Sequence, residues 1–132
     1  MVKDITLSVI TALKADPGVA GKVITRVYRK TLPPNPTYPA IVVSKVDDIR
    51  NIDTSTGDYS AARVQCTAFA SSDGTADELS ELVATALHRT VNTFLSSLYV
   101  IAIEDAGTVP DVVTDISVYL YHRDFLIQYS TR

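Results

Sequence analysis

Apolar positions near the start of the chain recur at helical spacing. Val2, Ile5, Val9, Ala12 and Leu13 share one face, which predicts a helix from about Lys3 to Ala15. Asp16-Pro17-Gly18 reads as its stop, because the residue before a proline avoids helical dihedrals and glycine permits a reversal. Leu7 falls off the apolar face and Ile10 lies at its margin, a pair that a subunit contact could use. Lys22 to Tyr28 is rich in β-branched residues and predicts a first strand. Thr31 to Pro39 carries Pro33, Pro34, Pro36 and Pro39. Proline-rich segments bind SH3-type domains in some proteins, but between two strands this one reads as a stiff connection. Ala40 to Val46 is an apolar second strand that continues into the polar stretch Asp47 to Thr56.

The pattern then changes period. From Tyr59 to Ala70 the chain alternates, with Ala62, Val64, Cys66 and Ala68 on one face and Arg63, Gln65 and Thr67 on the other. This is the mark of a half-buried antiparallel strand. With the turn cluster Thr54 to Asp58 before it, strands two and three read as a long hairpin. Ser71 to Gly74 breaks the strand, and Thr75-Ala76-Asp77-Glu78 has the form of a capping box. A second helix to about Asn92 follows, with Leu79, Leu82, Val83, Ala86 and Leu87 as its apolar stripe. Leu98 to Ile103 reads as a short buried strand, Glu104 to Asp115 as an acidic loop broken by Gly107 and Pro110, and Ile116 to Tyr129 as a final strand with a bulge near His122. Thr31 to Pro39, Asn51 to Asp58 and Glu104 to Asp115 are expected to be the least protected segments. The order of elements predicts an α+β fold: an antiparallel sheet of about four to five strands with two helices packed on one face.

Length and composition limit the chemistry. The 132 residues suit one domain spanning 1–132, and 46% apolar against 20% charged residues is an ordinary globular balance. One cysteine excludes an intrachain disulfide and a cysteine-based zinc site, and two histidines make no metal cluster. The opening residues lack a signal peptide's apolar middle, and Leu98 to Ile103, the longest apolar run, is too short to cross a membrane, so a cytoplasmic origin is expected. Charge divides between the halves. Residues 1–50 hold eight Lys and Arg against four Asp and Glu, and residues 51–132 hold four against eleven. Lys22, Arg26, Arg29 and Lys30 are the densest basic group. Asp73, Asp77, Glu78 and Glu81 form one acidic group, and Glu104, Asp105, Asp111 and Asp115 another. Such a split fits solvated faces; it also fits a head-to-tail oligomer in which a basic patch meets an acidic one, with Leu7, Ile10, Arg26, Arg29 and Lys30 as the candidate subunit interface. The net charge of −3 argues against a sequence-specific nucleic-acid binder.

No catalytic constellation emerges. His122-Arg123-Asp124 shares three letters with the protein-kinase catalytic loop, but its metal-binding asparagine would fall at Tyr129 and no glycine-rich loop accompanies it. Asp47-Asp48 and Glu104-Asp105 are adjacent carboxylates that an extended chain sends to opposite faces, so neither is an acid–base pair. Cys66 sits on the apolar face of its strand as a core thiol. Tyr119, Tyr121 and Tyr129 share a parity with Phe125 and Ile127, which reads as core or subunit packing. No catalytic residue, metal ligand or cofactor site is assigned.

Four stretches carry a likeness across nearly the whole chain. These are Ala12-Leu13-Lys14-Ala15-Asp16-Pro17-Gly18-Val19, Tyr38-Pro39-Ala40-Ile41-Val42-Val43, the strand Ala62 to Ala70 running into the helix Thr75 to Val91, and Tyr121-His122-Arg123-Asp124-Phe125-Leu126-Ile127-Gln128-Tyr129. Together they resemble the tail-terminator, or tail-completion, proteins of long-tailed bacteriophages and prophages. The resemblance implies a small α+β virion subunit that forms a ring, usually a hexamer, at the head-proximal end of the tail. Such a ring would end polymerisation of the tail tube protein and meet a head completion or connector protein. It implies no catalytic residue, cofactor or membrane contact. Head–tail joining proteins and tube subunits have similar size and composition and stand as the alternatives within virions. A small ligand-binding or enzymatic α+β domain is the alternative outside them.

Overall fold

A computed structural model describes residues 5–50, 59–91, 94–95, 98–113 and 117–130. Its elements in chain order are α1 (Ile5–Ala15), α2 (Pro17–Val23), β1 (Val27–Arg29), β2 (Ala40–Arg50), β3 (Tyr59–Ala70), α3 (Asp73–His88), β4 (Phe94–Leu95), β5 (Leu98–Val113) and β6 (Val118–Ser130). The strands form one sheet in the order β1-β2-β3-β6-β5-β4. β1 runs parallel to β2, and every other neighbouring pair is antiparallel. The α+β class holds, with a short third helix and a parallel edge strand added to it.

The alternating face of β3 explains where the core lies. Val64 and Cys66 pair across β6 with Phe125 and Arg123, and across β2 Cys66 pairs with Val43. The helices cover this face: α1 packs on β1 and β2, and α3 on β3 and β6. Ile5, Val9, Leu13, Ile41, Val64, Leu79, Leu87, Phe125 and Ile127 are all buried in the resulting cluster, and Leu82 packs against it half-buried.

Several boundaries differ from the sequence expectation. Asp16-Pro17-Gly18 does end α1, but it also starts α2. The Asp16 side chain accepts from the Val19 N–H at 3.1 Å, and Pro17 stands where a missing N–H costs nothing. The strand expected from Lys22 is therefore confined to Val27–Arg29. α3 is capped one turn earlier than its capping-box letters suggest, by Ser72, whose side chain accepts from the Thr75 N–H. The predicted bulge near His122 is absent, since β6 pairs with β3 in unbroken register; the irregularities lie on β5, at Val100/Ala102 and Asp105/Gly107, and on β2, at Lys45/Asp47. Lys3, Asp4, the turn expected within 51–58, Asn92, Asp115 and Ile116 lie outside the described residues.

The largest correction concerns the expected acidic loop Glu104 to Asp115. Residues 104–113 continue β5 and pair with β6 as far as Val113↔Val118. Gly107 and Pro110 are tolerated for different reasons. Gly107 adopts φ 126° at the bulge, which favours a residue without Cβ. Pro110 sits on an edge strand, where its missing N–H can face outward. The expectation that this segment lacks a protecting partner is corrected with it.

Candidate functional site

The predicted interface residues separate into four environments. Ile10 is 8% exposed and belongs to the core, whereas Leu7 is 50% exposed. Arg26 is half-buried, and its Nε donates to the Pro39 carbonyl at 2.9 Å, so it pins the end of the proline-rich connection. That connection is also held by Tyr38, whose ring stacks on Phe69 of β3 with centroids 6.5 Å apart. Arg29 and Lys30 are exposed and line a small dent of 290 Å³ with Thr6, Ser44 and Lys45. Its cationic character comes from Lys45 as well, which sequence spacing did not join to the cluster.

The acidic groups also divide. On α3, Glu78 pairs with Lys22 and Glu81 with Arg123 at 3.1 Å. Asp73 accepts from the Tyr121 hydroxyl at 2.9 Å, and this bond, reinforced by the Asp73 and Asp77 charges, raises the Tyr121 pKa. These acids serve contacts within the subunit. Glu104, Asp105 and Asp111 instead lie on β5, all exposed. Asp105 faces Arg123 at 3.4 Å. Arg123, 8% exposed, donates to Thr108 Oγ1 at 2.8 Å as well, and so ties β5 to α3. The residue whose motif suggested a kinase loop is a structural strut.

The helix-free face carries a network that sequence reasoning missed. Asp124 accepts from Arg63 Nε at 3.2 Å and from Gln65 Nε2 at 3.0 Å, and His122 Nδ1 lies 3.0 Å from Thr67 Oγ1. With Gly107, Thr108 and Val109 these groups line an open hollow of 570 Å³. Arg63, Gln65 and Thr67 were visible as one polar face, but only the β3–β6 register brings His122 and Asp124 opposite them. Asp124 is directed at Arg63 and Gln65 and not at the histidine, so the set lacks the nucleophile–base–orienter chain of a hydrolytic site. Cys66, on the opposite face, has its thiol pushed up to about 12 by burial and by the Asp124 charge. It is no nucleophile at neutral pH. Among the described residues no three His, Cys, Asp or Glu side chains converge on a metal-sized site, and no helix is long and apolar enough to cross a membrane.

Comparison with known proteins adds two likenesses. The family model described as tail completion protein gp17 matches residues 8–110. A chain from the virion of a native gene transfer agent particle shares the fold with a TM-score of 0.75; it is 21% identical, and the match covers 96% of this chain and 94% of that one. No curated protein matches the chain.

Proposed function

The chain belongs to the tail completion protein gp17 family, and from that premise we propose that it closes the head-proximal end of the tail tube as a homo-oligomeric ring. A tail-associated structural protein of the virion assembles with other phage structural proteins. In the proposed role its partners are further copies of itself, most simply six, the tail tube protein below and the head-side connector above. The ring ends tube polymerisation and presents a finished surface to the head. The work is done by surfaces and not by catalysis, and it takes no cofactor.

The observation that carries this reading is the placement of opposite charges on opposite flanks of the sheet. Arg29, Lys30 and Lys45 lie by β1 and β2, and Glu104, Asp105 and Asp111 lie on β5 at the other side. A closed ring needs two different patches related by a rotation that closes. Charged rim pairs of this kind align subunits and contribute about 0–1 kcal/mol each, so cohesion comes mainly from exposed apolar side chains such as Leu7. Labelling the protein in assembled particles tests the assignment. Gold label confined to the tail's head-proximal end is expected. Label along the whole tube would make it a tube subunit, and label retained on tailless heads a head-side joining protein.

A further inference from the structure

Resting on the ring reading, we propose that neighbouring subunits join sheet edge to sheet edge. The outer edge of β2 beyond Val43 on one copy takes the Glu104–Val113 edge of β5 from the next copy. Both edges are open among the described residues. β1 flanks β2 only at Ile41, Val42 and Val43. Its last bond is Lys30 N–H to the Val43 carbonyl at 3.0 Å, and Lys30, at φ 70°, turns the chain away. From Ser44 to Arg50 no strand of the described residues lies outside β2. On the far side β4 pairs with β5 only at Leu98 and Tyr99, so β5 is an edge from there to Val113.

Long open edges template pairing unless they are covered or blunted, and these two carry the apolar groups that covering would bury. Among the described residues the exposed large hydrophobic ones are Leu7, Ile24, Val46, Val109, Val112 and Val113. Val46 is the extra residue of the irregularity between Lys45 and Asp47 on β2, and the last three lie on β5, so four of these six residues are on the two open strands.

The edges differ in chemistry in a way that selects a second copy in head-to-tail order. β5 holds Glu104, Asp105 and Asp111 and no Lys or Arg. Pro110 has no N–H to exchange with Tyr121 opposite it, so Thr108, Pro110 and Val112 direct their backbone polar groups outward. The Val112 N–H is already taken by Asp111 Oδ1 at 2.8 Å. The β5 edge therefore presents chiefly carbonyls and carboxylates, and two such edges repel one another. The β2 edge answers it with the cationic dent lined by Arg29, Lys30 and Lys45. Direction agrees as well. β2 is antiparallel to β3, β3 to β6 and β6 to β5, so a neighbour with its helices on the same side brings β5 antiparallel to β2. Because β1 occupies the place beside residues 41–43, the incoming strand lies wholly beyond Val43.

Cysteine pairs with a short bismaleimide test this in the otherwise intact chain, since native Cys66 is buried. Val46→Cys and Val112→Cys in one chain are expected to give a covalent ladder up to the full ring. The two single variants mixed give one cross-linked dimer and nothing larger, and each alone gives none. Cross-linked dimers from either single variant alone overturn the proposal, as does an assembled ring of the double variant without a ladder; both leave the ring reading standing. A chain that stays monomeric, free and with tail tubes, overturns both. A charge check is independent of cross-linking. Asp111→Lys, which the Val46–Val112 register brings beside Lys45, is expected to lower the assembled fraction at low salt about tenfold, and adding Lys45→Glu to restore it; unchanged assembly in Asp111→Lys overturns the proposal.

Discussion

Replacing Val64 by aspartate puts the architecture under the most informative stress. Val64 is 0% exposed and sits between Lys45 on β2 and Phe125 on β6. Losing a fully buried valine costs about 1.5–3 kcal/mol. The new carboxyl adds more. Phe125, paired with it across β6, offers no donor, so the group escapes ionisation by staying protonated. Holding it so at pH 7, when its unfolded pKa is about 3.9, costs about 4 kcal/mol. Lys45 does not rescue it cheaply, because its exposed ammonium would leave water to reach the core. The deficit at pH 7 is therefore about 5–7 kcal/mol, against a total stability of about 7–20 kcal/mol for a chain of this length. The sign of the pH dependence follows from a folded pKa raised above the unfolded one. Below about pH 3.9 both states are protonated and only the packing loss remains; as pH rises the deficit grows, levelling at the folded pKa. Urea denaturation of wild type, Val64→Asp and the uncharged control Val64→Asn at pH 4 and pH 7 measures this. An aspartate deficit under about 1 kcal/mol at pH 7, or one equal at the two pH values, would refute the placement of Val64.

Three further outcomes follow from named contacts. Cys66, with its thiol pushed up to about 12 by burial and the Asp124 charge, should resist thiol reagents in the native state and react at once in denaturant; prompt native labelling would contradict its burial. Asp16→Ala removes both the α2 cap and the carboxylate that Arg89 contacts at 3.0 Å, and should cost about 1–2 kcal/mol by thermal melting, mostly from the cap because Arg89 is largely exposed. In hydrogen exchange on the unassembled chain, β5 should protect the Val109, Asp111 and Val113 amides, which pair with β6, and leave Thr108 less protected. Uniform fast exchange across 104–113 would restore the loop that composition suggests.

The elements with a strong period were readable from residues alone. The alternation of Ala62, Val64, Cys66 and Ala68 and the stripe of Leu79, Val83 and Leu87 placed the central strand and its covering helix, because burial on one face imposes those spacings. Where the reading departed from the structure, a local signal had two meanings. Asp16-Pro17 both ends a helix and starts one. Gly107 and Pro110 mark a loop in isolation, yet an edge strand with a bulge accepts both, and edge status depends on a sheet order that no local window contains. The candidate interface fared similarly. Arg29 and Lys30 are exposed beside Lys45, whereas Arg26 is tied to Pro39 and Ile10 to the core. Lys45 joins the patch only through pairing of β1 with β2. The Arg63–Asp124 and Thr67–His122 contacts likewise depend on register between strands far apart in sequence.

The measurement that reaches the central claim most directly is the length distribution of tails made without this protein. Deleting its gene from the phage or prophage and imaging lysates by electron microscopy should reveal headless tubes of irregular, excessive length. Supplying the purified chain during assembly should return tails to a single length and restore head attachment. Tails of normal length on infectious particles after deletion would contradict the account.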